Sequence, residues 1–233
     1  MVRLRSLLAW SIGLSLFVTL CVFIVFSVLF FKPARYDPWI KWSCRVILRA
    51  IGVRVQVEDH GGRQPNATYL FMANHVNLLD AFLFMGFIPH FFRAVEVRSH
   101  FSWPLYGWMI RLLGNIPMDR EQPHKAMAGL NAAAEALQRG QSILIMPEGS
   151  RTRHGRLLPF KRGPFLLAQN SRVDIVPLVQ IGSFAVQRKG SLLIRPGKIR
   201  FILLEPIHYA RFATMNSYEI RDLVRRHMQE YVE

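Results

Sequence analysis

Apolar and polar residues alternate along this chain in blocks that differ in length and period. From Leu7 to Phe31 no charged residue occurs, with Arg3 and Arg5 before and Lys32 and Arg35 after. As a helix this stretch would extend roughly 37 Å at about 1.5 Å per residue, enough to cross a hydrocarbon core of about 30 Å with some tilt. A cleaved leader is disfavoured by the length of the apolar run and by the lack of an A-x-A pattern after it. Pro33 and Pro38 then break the run, and Pro38–Ile51 follows a helical period. Lys41, Arg45 and Arg49 share one face at i, i+4, i+8, beside Trp39, Trp42, Val46 and Ile47. That pattern fits a helix lying at a membrane interface, or one packed on a globular domain.

Beyond Gly52 the period shortens and alternates. Strands are expected at Val53–Val57, Thr68–Ala73, Ile143–Met146 and Ile175–Ile181, with a hairpin pairing Ser191–Arg195 and Lys198–Leu204 across Pro196-Gly197. Helices are expected at Leu79–Phe87, Pro104–Leu113, His124–Arg139, Phe160–Asn170 and Ser217–Tyr231, and Gly140 stops the third. The alternation predicts an α/β fold, a mixed, mostly parallel sheet flanked by helices, preceded by a membrane helix and an interfacial helix. It divides the chain into an N-terminal membrane-anchoring segment, 1–52, and an α/β domain, 53–233. The apolar stretch from Ala81 to Phe92 is too greasy for a surface helix, so it belongs to the core or to an apolar tunnel.

Composition changes the picture in one respect. Thirty Lys and Arg against 15 Asp and Glu leave a net charge of +15, which calls for an anionic partner. With 51% hydrophobic residues the partner is expected to be a membrane surface and not a nucleic acid. The heavier basic cluster after the apolar helix favours a cytoplasmic main domain. The two cysteines, Cys21 and Cys44, lie in the N-terminal segment and form no disulfide framework or metal-ligand pattern, and no metal site is expected.

The chemistry concentrates where strands end. Asn74-His75-Val76-Asn77-Leu78-Leu79-Asp80 follows the apolar run Tyr69–Ala73, the position where α/β proteins place their sites. A carboxylate accepting a hydrogen bond from one imidazole nitrogen leaves the other free to take a proton from a hydroxyl. No Ser or Cys stands beside the pair as a nucleophile, so the hydroxyl is expected to come with the substrate. Gly114–Arg120, Pro147–Arg153 and Phe160–Pro164 are further basic, Gly-containing loops. Arginine suits bidentate phosphate binding and Gly149 permits close backbone approach, so together they point to a phosphate-bearing ligand.

Four blocks in order, NHVNLLD at 74–80, GNIPMDR at 114–120, MPEGSRT at 146–152 and IVPLV at 175–179, resemble the motifs of the glycerolipid acyltransferase family, in particular its bacterial 1-acyl-sn-glycerol-3-phosphate acyltransferases. The resemblance implies acyl transfer from a thioester, acyl-CoA or acyl carrier protein, to the free hydroxyl of lysophosphatidate, yielding phosphatidic acid with no cofactor. It implies His75 as general base, Asp80 as its orienting carboxylate, and Arg120, Glu148, Gly149 and Arg151 as holders of the phosphorylated acceptor. Asn74 and Ser150 lie in the same blocks and join the candidate substrate contacts. Backbone N–H groups near Asn74 and His75 are the expected donors to the tetrahedral oxyanion. The implied location is a bacterial inner membrane, with the domain on its cytoplasmic side. Where the family often has Lys-Lys-Glu-Leu this chain has Val97-Arg98-Ser99-His100, which leaves another lysolipid acceptor open. A membrane-bound phospholipid phosphatase or hydrolase is the alternative class.

Overall fold

In a computed structural model, which describes residues 2–119 and 123–232, the chain is an α/β domain carrying two N-terminal helices. The first, α1 (Val2–Ser27), starts earlier and stops sooner than the uncharged run. It is long and apolar enough to cross a membrane by length and composition. The second, α2 (Pro33–Ala50), begins with proline in its first turn, where the missing N–H costs nothing. Contrary to expectation it also runs unbroken through Pro38, giving up only the bond that residue's N–H would have made to Ala34.

The strands are β1 (Val53–Asp59), β2 (Tyr69–Ala73), β3 (Phe92–Val97), β4 (Ile116–Met118), β5 (Ser142–Ile145), β6 (Asp174–Ile181) and β7 (Gly197–Leu203). Between them come α3 (Asp80–Phe87), a 3-10 turn at Arg98–Ser102, α4 (Tyr106–Leu112), α5 (Pro123–Gln138), α6 (Gly163–Ser171) and α7 (Ser183–Val186). After β7 the chain ends in α8 (Tyr209–Phe212) and α9 (Ser217–Val232). The sheet order is β1-β7-β6-β2-β5-β3-β4, parallel throughout except where β7 runs antiparallel to β6. Central strands β2 and β5 are buried at every position and, apart from Ser142, read as apolar runs, as two-sided parallel strands tend to.

Two expectations about the sheet are corrected. Ser191–Arg195 forms no hairpin strand. It runs irregularly along α1, where the Ser6 hydroxyl takes part in hydrogen bonds to Ile194 O (3.1 Å) and from Ile194 N (3.0 Å), and Trp10 Nε1 donates to Leu192 O at 2.6 Å. Lys198 and its neighbours instead pair with β1 and β6. Strands β3 and β4 were not expected, because β3 follows directly on the Ala81–Phe92 apolar run and β4 is three residues long.

One core layer packs α5, α6 and α9 on the sheet, the other α2 and α3. A third apolar cluster joins Leu20, Cys21 and Ile24 of α1 to Ile40, Cys44 and Ile47 of α2 and to Met109 and Ile110 of α4. The basic stripe of α2 faces this domain for two of its three members. Lys41 is buried in an ion pair with Asp37 and donates to His90 O at 3.2 Å, and Arg45 Nε donates to Gly86 O at 2.6 Å. Trp39 and Trp42 point outward, as do Leu4, Leu7, Leu8, Leu14 and Phe26 of α1.

Candidate active site

Chain direction explains where the site lies. From β2 the chain leaves through α3 toward β3, and from β5 it leaves through α6 toward β6, on the opposite face and the opposite side. The loops after these two neighbouring strands therefore part, opening the switch-point crevice in which open α/β sheets bind ligands. The first loop carries His75 and Asp80, the second Glu148, Gly149, Ser150 and Arg151.

Asp80 begins α3 and folds its carboxylate back over the preceding turn. Its Oδ2 accepts from Val76 N–H at 2.7 Å, its Oδ1 from Asn77 N–H at 3.2 Å, and Oδ2 lies 2.7 Å from His75 Nδ1. The carboxylate is 2% exposed, so little water competes for these bonds. This fixes the tautomer with hydrogen on Nδ1 and leaves Nε2 engaged by no group among the described residues. His208 with Asp174 and His100 with Glu96 are also paired, at 2.8 and 3.0 Å. The former is exposed at the other end of β6, and its Asp174 accepts one backbone N–H, from Tyr209, where Asp80 accepts two.

Across the crevice, Glu148 is buried and its two oxygens are both occupied by backbone. Oε1 accepts from His75 N–H and Oε2 from Leu158 N–H, each at 2.8 Å. Burial pushes this carboxyl up to about 7, with the two N–H bonds opposing the shift. Thr152 N–H donates to His75 O at 2.9 Å, so the second loop grips both sides of the His75 peptide. Gly149 supplies a φ of +69°, which an L side chain rarely adopts, and its N–H closes the turn on Met146 O at 3.1 Å. Arg151 is half-buried beside it, and its carbonyl accepts from Lys189 Nζ at 3.0 Å. Arg120 lies outside the described residues.

The expected oxyanion donors are not free. The N–H groups of His75, Val76 and Asn77 are all spent on the carboxylates of Glu148 and Asp80. Arg162 is likewise drawn into structure, donating to Ser217 Oγ at 3.1 Å and lying over the Tyr218 ring.

A buried polar network under the His75 turn was not legible in the sequence. Asn74 and Gln180 exchange three hydrogen bonds, Asn74 Nδ2 to Gln180 O (3.1 Å), Gln180 N to Asn74 Oδ1 (2.8 Å) and Gln180 Nε2 to Asn74 O (3.0 Å). Asn77 Nδ2 reaches Ser183 O and Gln187 O at 2.8 and 3.1 Å, while Gln187 Oε1 accepts from Leu78 N–H at 3.2 Å. Asn74 therefore faces inward as a brace. The only hint was a glutamine at the end of the apolar strand β6, where a buried amide demands partners. Among the described residues no three His, Cys, Asp or Glu side chains come together as a metal would need.

A mostly parallel sheet with a braced His–Asp pair at its switch point defines an α/β domain with the parts for acid–base chemistry. Residues 54–181, over half the chain, match the acyltransferase family model, and the chain belongs to that family. It is 33% identical over 164 residues to a 1-acyl-sn-glycerol-3-phosphate acyltransferase of Cocos nucifera, covering 70% of this chain and 53% of that one. A protein of the same name from Chlamydomonas reinhardtii is 25% identical over 231 residues, covering 97% and 68%. The crystal structure of the 1-acyl-sn-glycerophosphate acyltransferase of Thermotoga maritima shares the fold, with a TM-score of 0.87 at 23% identity over 99% of this chain and 94% of that one. The chain spans about half the length of the first curated plant relatives it matches.

Proposed function

We propose that this protein transfers a fatty acyl group from an acyl thioester to the free hydroxyl of 1-acyl-sn-glycerol-3-phosphate, giving phosphatidic acid. The observation that carries this reading is the His75–Asp80 pair, whose Nε2 makes no hydrogen bond with any hydroxyl or thiol among the described residues. The names of the curated relatives support the same activity.

In this mechanism Nε2 of His75 takes the proton of the acceptor hydroxyl as its oxygen attacks the thioester carbonyl. A C–O bond forms, the C–S bond breaks on collapse of the tetrahedral intermediate, and the proton passes from the imidazolium to the departing thiolate. Asp80 holds the ring and stabilises its charge, and no acyl-enzyme or cofactor takes part. Arg151 and Ser150 hold the acceptor phosphate, together with Arg120, and Gly149, whose N–H closes the turn on Met146 O, lets the backbone approach it closely. Holding hydroxyl and carbonyl in contact is worth several kcal/mol, up to about 7–11 in model reactions. Glu148, with both oxygens bound to backbone, serves by bracing the His75 peptide.

The bilayer brings the lysophosphatidate, with α1 embedded and the domain on the cytoplasmic face of a bacterial inner membrane. Mass spectrometry of the products formed by the purified protein from several lysolipids, each with acyl-CoA and with acyl carrier protein, tests acceptor and donor together. Phosphatidic acid is the expected product. Release of inorganic phosphate without need of a donor would instead identify a phosphatase, and product from another lysolipid alone would move the acceptor.

A further inference from the structure

Because β7 runs antiparallel to β6, its first residues lie beside the last residues of β6, at the same end of the sheet as His75. There the end of α2 and the starts of β1 and β7 line an open surface groove of ≈ 760 Å³. Its lining is Arg49, Gly52, Val53, Arg54, Val55, Pro196, Gly197 and Lys198, three cations with no carboxylate and no aromatic ring. Among the described residues the side chains of the three cations make no ion pair or hydrogen bond. The groove is lined by β7 and β1, two and three strands from β2, about 10–14 Å at about 4.8 Å per strand, and so is separate from the switch-point crevice.

One wall is shared with the apolar surface of the protein. Pro196 ends the irregular segment that Ser6 and Trp10 fasten to α1, and its ring would lie 3.1 Å from a Cβ placed on Gly52. On that segment Leu192 is 73% exposed, and Leu4, Leu7 and Leu8 of α1 are exposed nearby in sequence on the helix it follows. The exposed Leu192 thus stands four residues before Pro196 of the groove wall, on a segment fastened to the apolar helix α1. We propose that this groove binds the phosphate of an anionic phospholipid, whose acyl chains lie along Leu192 and the exposed leucines of α1. A nucleotide fits less well, since the lining offers no ring on which a base could stack. The groove is of ordinary ligand-site size, about 300–1,000 Å³. The proposal rests on the reading of α1 as membrane-embedded, but not on acyl transfer itself.

The test is calorimetric titration of the full chain, held in neutral detergent, with short-chain phosphatidylglycerol, and with short-chain phosphatidylcholine and inorganic phosphate as comparisons. Phosphatidylglycerol is expected to bind saturably, and the other two weakly. Arg49→Gln/Arg54→Gln/Lys198→Gln should weaken it roughly a hundredfold, about fivefold for each cation near a lipid phosphate. The charge-keeping Arg49→Lys/Arg54→Lys/Lys198→Arg should retain it, and so should Arg139→Gln/Arg211→Gln/Arg226→Gln, which removes as much charge elsewhere. If the groove triple variant fails to fold, Arg54→Gln alone is expected to cost about fivefold.

Equal loss in the two charge-removing triples would mean diffuse attraction and overturn the proposal. So would an equal loss in Arg151→Gln, which would put the lipid in the crevice, or displacement by coenzyme A, which would make the groove a nucleotide site. Binding of inorganic phosphate as tight as that of the lipid would also overturn it. Acyl transfer to lysophosphatidate is measured on the same samples. Its absence with lipid binding intact would sink the proposed activity alone, and the reverse would sink the groove alone.

Discussion

At His75 one imidazole nitrogen is committed and the other is available, and the commitment is made by a carboxylate that also holds the turn. Asp80 thus has two jobs that substitution separates. His75→Ala leaves Asp80 its two backbone N–H bonds and should fold normally, while acyl transfer falls roughly 10²–10⁴-fold, the usual worth of a positioned base. Initial rates with a near-native thermal transition would check this, and a wild-type rate would exclude His75 as the base. Asp80→Asn keeps the shape but can present an N–H toward the ring, favouring the wrong tautomer, so the rate should fall by up to about 10⁴-fold with a smaller change in stability.

Glu148 adds a pH signature. Its carboxyl titrates at about 7 in the fold against an ordinary value of 4.5, because burial disfavours its charge. Between those values the folded state binds more protons than the unfolded chain, so its contribution to stability is greatest below about pH 4.5 and is lost as pH rises to about 7. The span corresponds to a few kcal/mol, on the order of 3. Glu148→Gln removes that slope, so the stability difference between wild type and variant should shift in the variant's favour from pH 4.5 to 7 in denaturant titrations. A difference that stays constant with pH would show that Glu148 keeps an ordinary carboxyl.

At the scale of elements, the contact between α2 and α3 is held by polar groups in an apolar setting. Asp37 and Lys41 are paired and buried within α2, Lys41 also donates to His90 O just past α3, and Arg45 reaches across to the carbonyl of Gly86 near the end of α3. Removing one member of a buried pair strands the other's charge, so Asp37→Ala should cost about 3–5 kcal/mol. Asp37→Leu/Lys41→Met, which strands nothing, should cost much less, and urea midpoints of the three proteins decide it. Because α3 starts at Asp80, loosening this contact should also lower acyl-transfer rate at temperatures where the fold persists.

On the scale of the whole molecule, α1 presents two unlike sides. Leu20, Cys21 and Ile24 are buried against α2 and α4, while Leu7, Leu14 and Val18 are exposed at 63%, 60% and 41%. An exposed apolar strip of this length is what a lipid-facing helix presents. Leu7→Ser/Leu14→Ser/Val18→Ser should therefore leave the folded domain intact and weaken flotation with phospholipid vesicles. Loss of folding with unchanged flotation would mean that this face is packed against protein.

By itself the chain already determined its α/β class and the place of its acid–base pair. Long apolar runs bounded by turns marked β2, β5 and β6, a helical period marked α5 and α9, and His75 and Asp80 stood where a buried strand ends, all local consequences of period and chain direction. Only the tertiary structure decided what each polar group faces. Lys41 and Arg45 lie on an amphipathic helix whose period is the same whether its stripe meets lipid or protein, and the packing of α3 chose protein. The crossover of β5 between β2 and β3 is equally invisible to a local pattern, yet it puts Glu148 under the His75 peptide although 73 residues separate them. Gln180 and Gln187 reach the same turn from still farther away, because buried donors and acceptors must find partners wherever the fold brings them.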